Sequence, residues 1–292
     1  MIFDREVYLN VLISNPAPEI GYQGQLEISK LRVSFSVTKT GTWAANTASI
    51  RIWNLSETKR NKMSYFGDLI SLMAGYRTAG GPQLLFKGNS SSVSHSFSPP
   101  DVVTAINCNE GERNFYLKVS SVSFGENTPV RTVIEFYAQE LELPVVEIAS
   151  TEGLTYALGH QHSGLAYLGL EKACNYAGLQ ASIQNGNLVI LPKEGSSQKP
   201  AIPISQETGM IGVPERYTDR KQYLYQALPP NSAPKPGWKV RTLLKPEIIP
   251  GDRINLVSRK ASISGIFKVV SISHQGDTHG EVFESLLEVL PL

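Results

Sequence analysis

This 292-residue sequence has little charge and almost no cysteine. Charged residues make up 18% of it, and 27 cations against 26 anions leave a net charge of +1. No basic stripe is present to grip a phosphate backbone, so specific nucleic-acid binding is not expected. The two cysteines, Cys108 and Cys174, stand far apart in apolar segments, which predicts two reduced, buried thiols rather than a disulfide. No apolar run approaches the roughly 18 residues of a membrane span. The opening MIFDREVYLNVLI lacks the charged-then-apolar order of a secretory leader. The expectation is a soluble protein without a membrane anchor, made in the cytoplasm.

The usual chemical signatures are missing as well. There is no phosphate-cradling G-x-x-x-x-G-K-[ST] or G-x-G-x-x-G, no G-x-S-x-G nucleophile elbow and no H-E-x-x-H. Cys108 has no histidine or helix start beside it, so nothing in the sequence activates it as a nucleophile. Glu140, Glu142, Glu207 and Glu215 are candidates for a hydrolytic carboxylate pair, and equally for ordinary surface charge. The aromatic residues Tyr65, Tyr76, Trp53 and Trp238 do not interleave with basic residues as a nucleic-acid platform would. These absences together favour assembly or binding over catalysis: no catalytic residue, no cofactor and no metal site is assigned.

Apolar residues, 41% of the chain, are plentiful enough for real cores. At roughly 100–200 residues per unit, the length allows two or three compact units. Residues 1–125 read as strands. In QLEISKLRVSFSVTKT, Leu31, Val33, Phe35 and Val37 alternate with Arg32, Ser34, Ser36 and Thr38, and TASIRIWNL repeats the pattern. Ser56 is placed to cap a short helix, and GDLISLMAGYR, GGPQLLFKG and DVVTAINCNEG read as further short strands.

From residue 126 to 195 the period changes. Val130, Val133, Ile134, Tyr137 and Leu141 fall at helical spacing, with Thr128 as candidate cap and Pro129 at the first helical position. A second helix is predicted over SGLAYLGLEKACNYAGLQ, capped by Ser163, striped by Leu165, Leu168, Ala173 and Ala177, and stopped by Gly178. Asn185-Gly186 marks a hairpin. PKEGSSQKP leaves this unit as a polar linker. Residues 196–292 return to strands, with a turn at Pro250-Gly251 and a proline-rich excursion from Tyr225 to Trp238. The fold class expected is therefore mainly β: two β-barrel domains flanking a small α+β domain.

Two histidine pairs invite a metal reading. In HQGDTHG, His274, Asp277 and His279 could supply three ligands, but the flanking strands predict a hairpin with Val270, Ile272, Phe283, Leu287 and Val289 buried and both histidines exposed in the turn. In GHQHSG, alternation would put His160 and His162 on one side, and a polar loop running into a helix cap is the preferred reading.

The run from ASIRIWNLSETKRNKM through GDLISLMAGYR to LLFKGNSSSVSHSFSPPDVVTAINCNEG resembles the first barrel of bacteriophage tail baseplate hub proteins. TGMIGVPERYT, KVRTLLKPEIIPGDRINL and SGIFKVVSISHQGDTHGEVFESLLEVLPL resemble the closing barrel of the same family, and the helix after TPVRTVIEFYA has a counterpart between them. The proline-rich excursion is longer than the family pattern. Such hubs are similar to the base of type VI secretion spikes. The resemblance implies a homotrimer whose six barrel positions form a pseudo-sixfold ring. One face would dock on the hexameric tail tube protein and the other on the trimeric central spike protein, beside other baseplate proteins. The implied location is the virion, in the tail baseplate, after synthesis in the host cytoplasm. Two other readings stay open: a tail-associated peptidoglycan hydrolase, which needs a carboxylate or nucleophile in a cleft, and a carbohydrate- or receptor-binding tail module. The latter needs clustered exposed aromatics, whereas Trp43 and Trp53 read as strand residues.

Overall fold

The computed structural model describes residues 4–13, 24–63, 66–111, 117–217 and 236–292. The proline-rich excursion falls largely on 218–235, and Tyr65 is also outside the described residues. The chain is mainly β. The first region holds β1 (Arg5–Ile13), β2 (Gly24–Ile28), β3 (Val33–Thr40), β4 (Thr47–Trp53), the four-residue helix α1 (Glu57–Arg60), β5 (Leu69–Tyr76), β6 (Gly81–Ser98) and β7 (Asp101–Asn109). The alternation in β3 and β4 holds, with Val33, Phe35, Val37, Ile50 and Ile52 buried. The expected continuous strand before Thr40 is split: Lys30, at φ 62°, breaks it into β2 and β3.

The middle region carries β8 (Val119–Phe124), the two-residue β9 (Thr128–Pro129), helix α2 (Val130–Glu140), β10 (Val145–Ile148), β11 (Thr155–Tyr156), β12 (His160–Leu165), helix α3 (Ala166–Tyr176), β13 (Leu179–Gln184) and β14 (Asn187–Pro192). All five predicted α2 positions are fully buried. The caps differ from expectation. Thr128 and Pro129 pair with β11, so α2 starts one residue late without a side-chain cap. Ser163 lies within β12, because GHQHSG is a strand held by β8 and not a loop. The buried face of α3 is Ala166, Gly169, Leu170, Ala173 and Cys174; of the expected stripe Ala173 is fully buried, Leu165 and Ala177 are half-buried and Leu168 is 36% exposed. Asn185 and Gly186, at φ 56° and 79°, make the hairpin turn as read.

The last region holds β15 (Ile202–Ile204), β16 (Met210–Tyr217), β17 (Gly237–Leu243), β18 (Arg253–Ser258), β19 (Ile263–Asp277) and β20 (Phe283–Pro291). β19 and β20 form the predicted hairpin, with two corrections: His274 lies inside β19 and is buried, and the face of the preceding residues shifts. A bulge between Val269 and Ser271 shifts the alternation, so Val269 is buried and Val270 is not.

Thirteen strands join one antiparallel-dominated sheet, ordered β16-β17-β20-β19-β3-β4-β7-β6-β5-β1-β2, with β18 beside β19 and β15 beside β18. Among the described residues this path is open. Each region has its own apolar core: the first and last lie on this sheet, and the middle one is built from α2, α3 and the separate small sheets of its own strands. Leu244 and Phe283 of the last region complete the core of the first.

The sheet contains the same five-strand path twice. β3, β4, β5, β6 and β7 pair in the order β3-β4-β7-β6-β5, and β16, β17, β18, β19 and β20 pair in the order β16-β17-β20-β19-β18. The registers of the central strands coincide: His95 faces Thr104 and Ile52 faces Thr104 in one unit, while His274 faces Ser285 and Thr242 faces Ser285 in the other. They part at the edges, where β16 bulges between Ile211 and Glu215 and the β5–β6 pairing shifts between Leu72 and Met73. Each long strand carries a bulge at the same place, Ser91 and Val270. Each unit enters its third strand through a Gly-Asp turn, at Gly67-Asp68 and Gly251-Asp252. There the glycine N–H donates to the carbonyl of Ser90 or Val269, and that residue's N–H donates back to the aspartate carbonyl.

Candidate assembly seam

The two units meet where β19, beyond its bulge, leaves β18 and pairs with β3, from Ser271 opposite Thr40 to Asp277 opposite Ser34. This pairing prolongs β19 past His274, which is fully buried rather than exposed in a turn as the sequence suggested. His274 Nδ1 lies 2.8 Å from Ser285 Oγ, which also accepts the Lys245 N–H at 3.0 Å. Burial, and then the nearby Lys39 ammonium, hold His274 well below the usual imidazole range. Phe283 completes the seam. Its ring stands edge-on to Phe35 and Tyr76 with centroids at 5.8 and 5.2 Å, and its carbonyl accepts the Tyr76 hydroxyl at 2.7 Å. Gly276 is glycine because a side chain there would strike the Phe35 ring, 2.4 Å from an added Cβ.

A buried polar junction ties the middle region to this seam. Lys39, fully buried, donates to Asn185 Oδ1 at 2.6 Å. Glu110, 1% exposed, accepts from Asn46 Nδ2 and from the Gly186 N–H, both at 2.6 Å. Burial pushes Lys39 down to about 8 against the pull of Glu110, and burial pushes Glu110 up against the pull of Lys39. The hairpin tip at Asn185-Gly186 thereby plugs into the β3–β4 and β7 ends through satisfied charges. The linker is pinned too: Glu147 accepts from Ser197 Oγ, and Arg253 donates to the carbonyls of Gln198 and Lys199.

The first unit repeats the histidine but not its cover. His95 Nδ1 lies 3.0 Å from Thr104 Oγ1, the arrangement of His274 and Ser285, yet His95 is only partly buried. Among the described residues nothing pairs with β6 beyond its bulge on the side where β19 takes β3. Where the second unit has Gly276, the first has Phe97, 69% exposed, with the Arg60 guanidinium 5.7 Å above its ring.

The other sequence candidates lie elsewhere. Asp277 is engaged by Arg32 at 2.9 Å, and His279 is exposed, its N–H donating to Asp277 Oδ1. His160 and His162 do share one side, each edge-on to Tyr137. His160 Nε2 lies 2.9 Å from the Tyr137 hydroxyl, and His162 Nε2 lies 3.0 Å from the Leu165 carbonyl. Among the described residues no three His, Cys, Asp or Glu side chains converge as a metal requires. Glu140, Glu142, Glu207 and Glu215 are all exposed, and Glu142 pairs with Lys118. Cys108 and Cys174 are free and buried, their thiols pushed up to about 12 by burial. Trp53 lies under the Arg32 guanidinium at 4.4 Å. Trp43 stands on the β3–β4 connection, not in a strand, against Tyr167. Trp238 packs on the last core and Tyr76 is buried in the first. No described helix is long and apolar enough to cross a membrane.

Sequence reasoning missed the repeat. Its signal was present: GDLISL at Gly67–Leu72 answers GDRINL at Gly251–Leu256, and SVSH at Ser92–His95 answers SISH at Ser271–His274.

Comparison with known proteins bears on this architecture. The 43 kDa tail protein of prophage MuSo2 from Shewanella oneidensis superposes with a TM-score of 0.66 at 8% identity, over 99% of this chain and 98% of that one. A tail protein from Neisseria meningitidis MC58 gives 0.66 at 11%, over 99% and 97%. The E. coli c3393 protein, a component of the type VI secretion system, gives 0.53 at 10%, over 89% and 73%. At such identities the likeness is one of fold. No curated protein matches the sequence. A family model described as baseplate hub gp41 matches residues 67–219, from the first Gly-Asp turn through the edge strand β16 and just beyond it, more than half of the chain. The chain belongs to the baseplate hub gp41 family, whose role is structural and lies in the phage tail.

Proposed function

We propose that this protein is the subunit of a trimeric hub whose ring joins a hexameric tail tube to a trimeric central spike. Residues 1–125 and 196–292 form its two barrel domains, and 126–195 form the small α+β domain between them. The observation that carries the reading is the doubled five-strand path: two units with one strand order and one central register in a single chain let three chains present six equivalent positions. The β19–β3 pairing adds support, because it sets the two units side by side in one sheet, as neighbours around a ring would sit. The role is mechanical rather than enzymatic, and the exposed, scattered carboxylates agree with that. The partners are tube, spike and other baseplate proteins.

Native mass measurement of the purified chain at high concentration, with images of assembled tails, tests this. A trimer that copurifies with tube and spike proteins is expected. A strict monomer that never enters a tail overturns it.

A further inference from the structure

The sheet of one chain ends in two unlike places that fit each other. The first is β6 beyond its bulge, Ser92–Phe97, which pairs with β7 on one side and, among the described residues, with nothing on the other. In the second unit the matching stretch of β19 is filled by β3. The second place is the outer edge of β16, the counterpart of β3, which among the described residues pairs only with β17. Unpaired sheet edges template the addition of a strand. Both places also leave apolar surface uncovered: Phe97 is 69% exposed and Val213, in the β16 bulge, is 43% exposed.

We propose that β16 of one copy of this chain adds to the open side of β6 of the next, in the antiparallel register by which β3 adds to β19 within the chain. The proposal rests on the hub reading and specifies its contact. The register follows from the repeat. Within the chain Ser36 faces Gln275, Val37 faces His274 and Thr38 faces Ser273. The matching residues are Glu215, Arg216 and Tyr217 on β16, and Ser96, His95 and Ser94 on β6. Glu215 therefore sits opposite Ser96, Arg216 opposite His95 and Tyr217 opposite Ser94 of the neighbouring copy. The bulge at Gly212–Pro214 falls opposite Phe97 and brings Val213 to its ring. Each copy uses two different surfaces, so the contact is head-to-tail, and three copies close when each seam turns the chain by a third of a revolution.

Covering β6 also encloses His95 as β3 encloses His274. The groups around it would be the Thr104 hydroxyl from β7, the Arg60 guanidinium from α1 and the incoming Arg216 guanidinium. Two cations and no carboxylate face it, so a protonated His95 opposes closure and the ring loosens in acid.

The test is a Ser96→Cys, Glu215→Cys double variant of the full chain, oxidised and resolved without reductant. Residues directly opposite in an antiparallel pair stand about 4.5–5.5 Å apart at Cα, within disulfide reach. Cys108 and Cys174, at 1% and 0% exposure, do not compete. A covalent trimer is expected, with none from either single variant. A trimer by mass without the cross-link overturns the strand pairing and leaves the hub reading standing, whereas no oligomer in solution or in tails overturns both. As a second readout, acidification from about pH 7.5 to about pH 5.5 is expected to weaken wild-type trimer by about tenfold, with His95→Gln flattening the response. An unchanged response in that variant overturns the enclosure of His95.

Discussion

The two five-strand units follow one path with one register at their central strands, yet their matching histidines stand in different surroundings. His274 is sealed between β3, Ser285 and the Lys39 ammonium, while His95, with the same hydroxyl partner, keeps one side open. Their flanks differ in the same sense. β5 is bordered by β1 running antiparallel, and β18 by the short β15 running parallel. The second unit lends Leu244 and Phe283 to the core of the first. Strand pairing is thus local and repeats faithfully, while burial, acidity and packing are set by whatever strand comes alongside.

The largest difference should lie at Phe283 and its counterpart Val102. Phe283→Ala removes a ring 3% exposed and wedged against Phe35 and Tyr76, and should cost about 3–5 kcal/mol in urea unfolding. Val102→Ala, at the half-buried matching position, should cost under about 1 kcal/mol in the isolated chain. Equal losses would mean that the first unit does not depend on the second for its core.

Lys39 gives the next effect. Burial lowers its ammonium from 10.5 to about 8. Between those values the unfolded chain holds a proton that the folded chain has released, so this group makes stability rise as pH rises through that window, by about 3 kcal/mol in full. Tyr137, Tyr156 and the two thiols are raised to about 12, so above their ordinary values they act in the opposite direction. The readout is therefore wild type minus Lys39→Met. That difference should grow in favour of wild type from about pH 8 to about pH 10.5. A flat difference at Lys39 would show that its ammonium is not held in the interior.

Much of this comparison was legible in the sequence, and the limits are physical. Alternation revealed β3 and β4, helical spacing revealed the buried face of α2, and Asn185-Gly186 marked its hairpin, because each signal is local. His274 was misread as an exposed turn residue because β3, which keeps β19 extended as far as Asp277, lies far away in the chain. Ser163 looked like a helix cap because its pairing to Ser121 on β8 is invisible without the fold. The Val270 bulge breaks the parity on which face assignment depends. The seam itself could be found only after the repeat had been aligned strand by strand.

A smaller contrast is expected at the hydroxyls that hold the two histidines. Ser285→Ala leaves the Lys245 N–H and His274 Nδ1 without their partner in a sealed site, and should cost about 1–3 kcal/mol. Thr104→Val frees His95, whose open side admits water, and should cost under about 1 kcal/mol in the monomeric chain. Unfolding curves of the two variants at neutral pH decide it. If the threonine proves as costly as the serine, His95 is already enclosed without a neighbour.

The finest distinction lies at the turns. Gly67 and Gly251 occupy the same position at φ 90° and 97°, so alanine at either should lose about 1–2 kcal/mol to backbone strain. The surroundings then separate them. A Cβ at Gly67 meets nothing within 4 Å, whereas one at Gly251 would stand 2.3 Å from Leu191 Cδ1 at the end of the middle region. Gly251→Ala should therefore lose about 1 kcal/mol more than Gly67→Ala, and Leu191→Ala in the same chain should remove that excess. The turns share their hydrogen bonds, so any gap between the two variants reports how tightly the middle region presses on the second unit. A gap that persists without Leu191 would mean that the two turns differ in backbone strain.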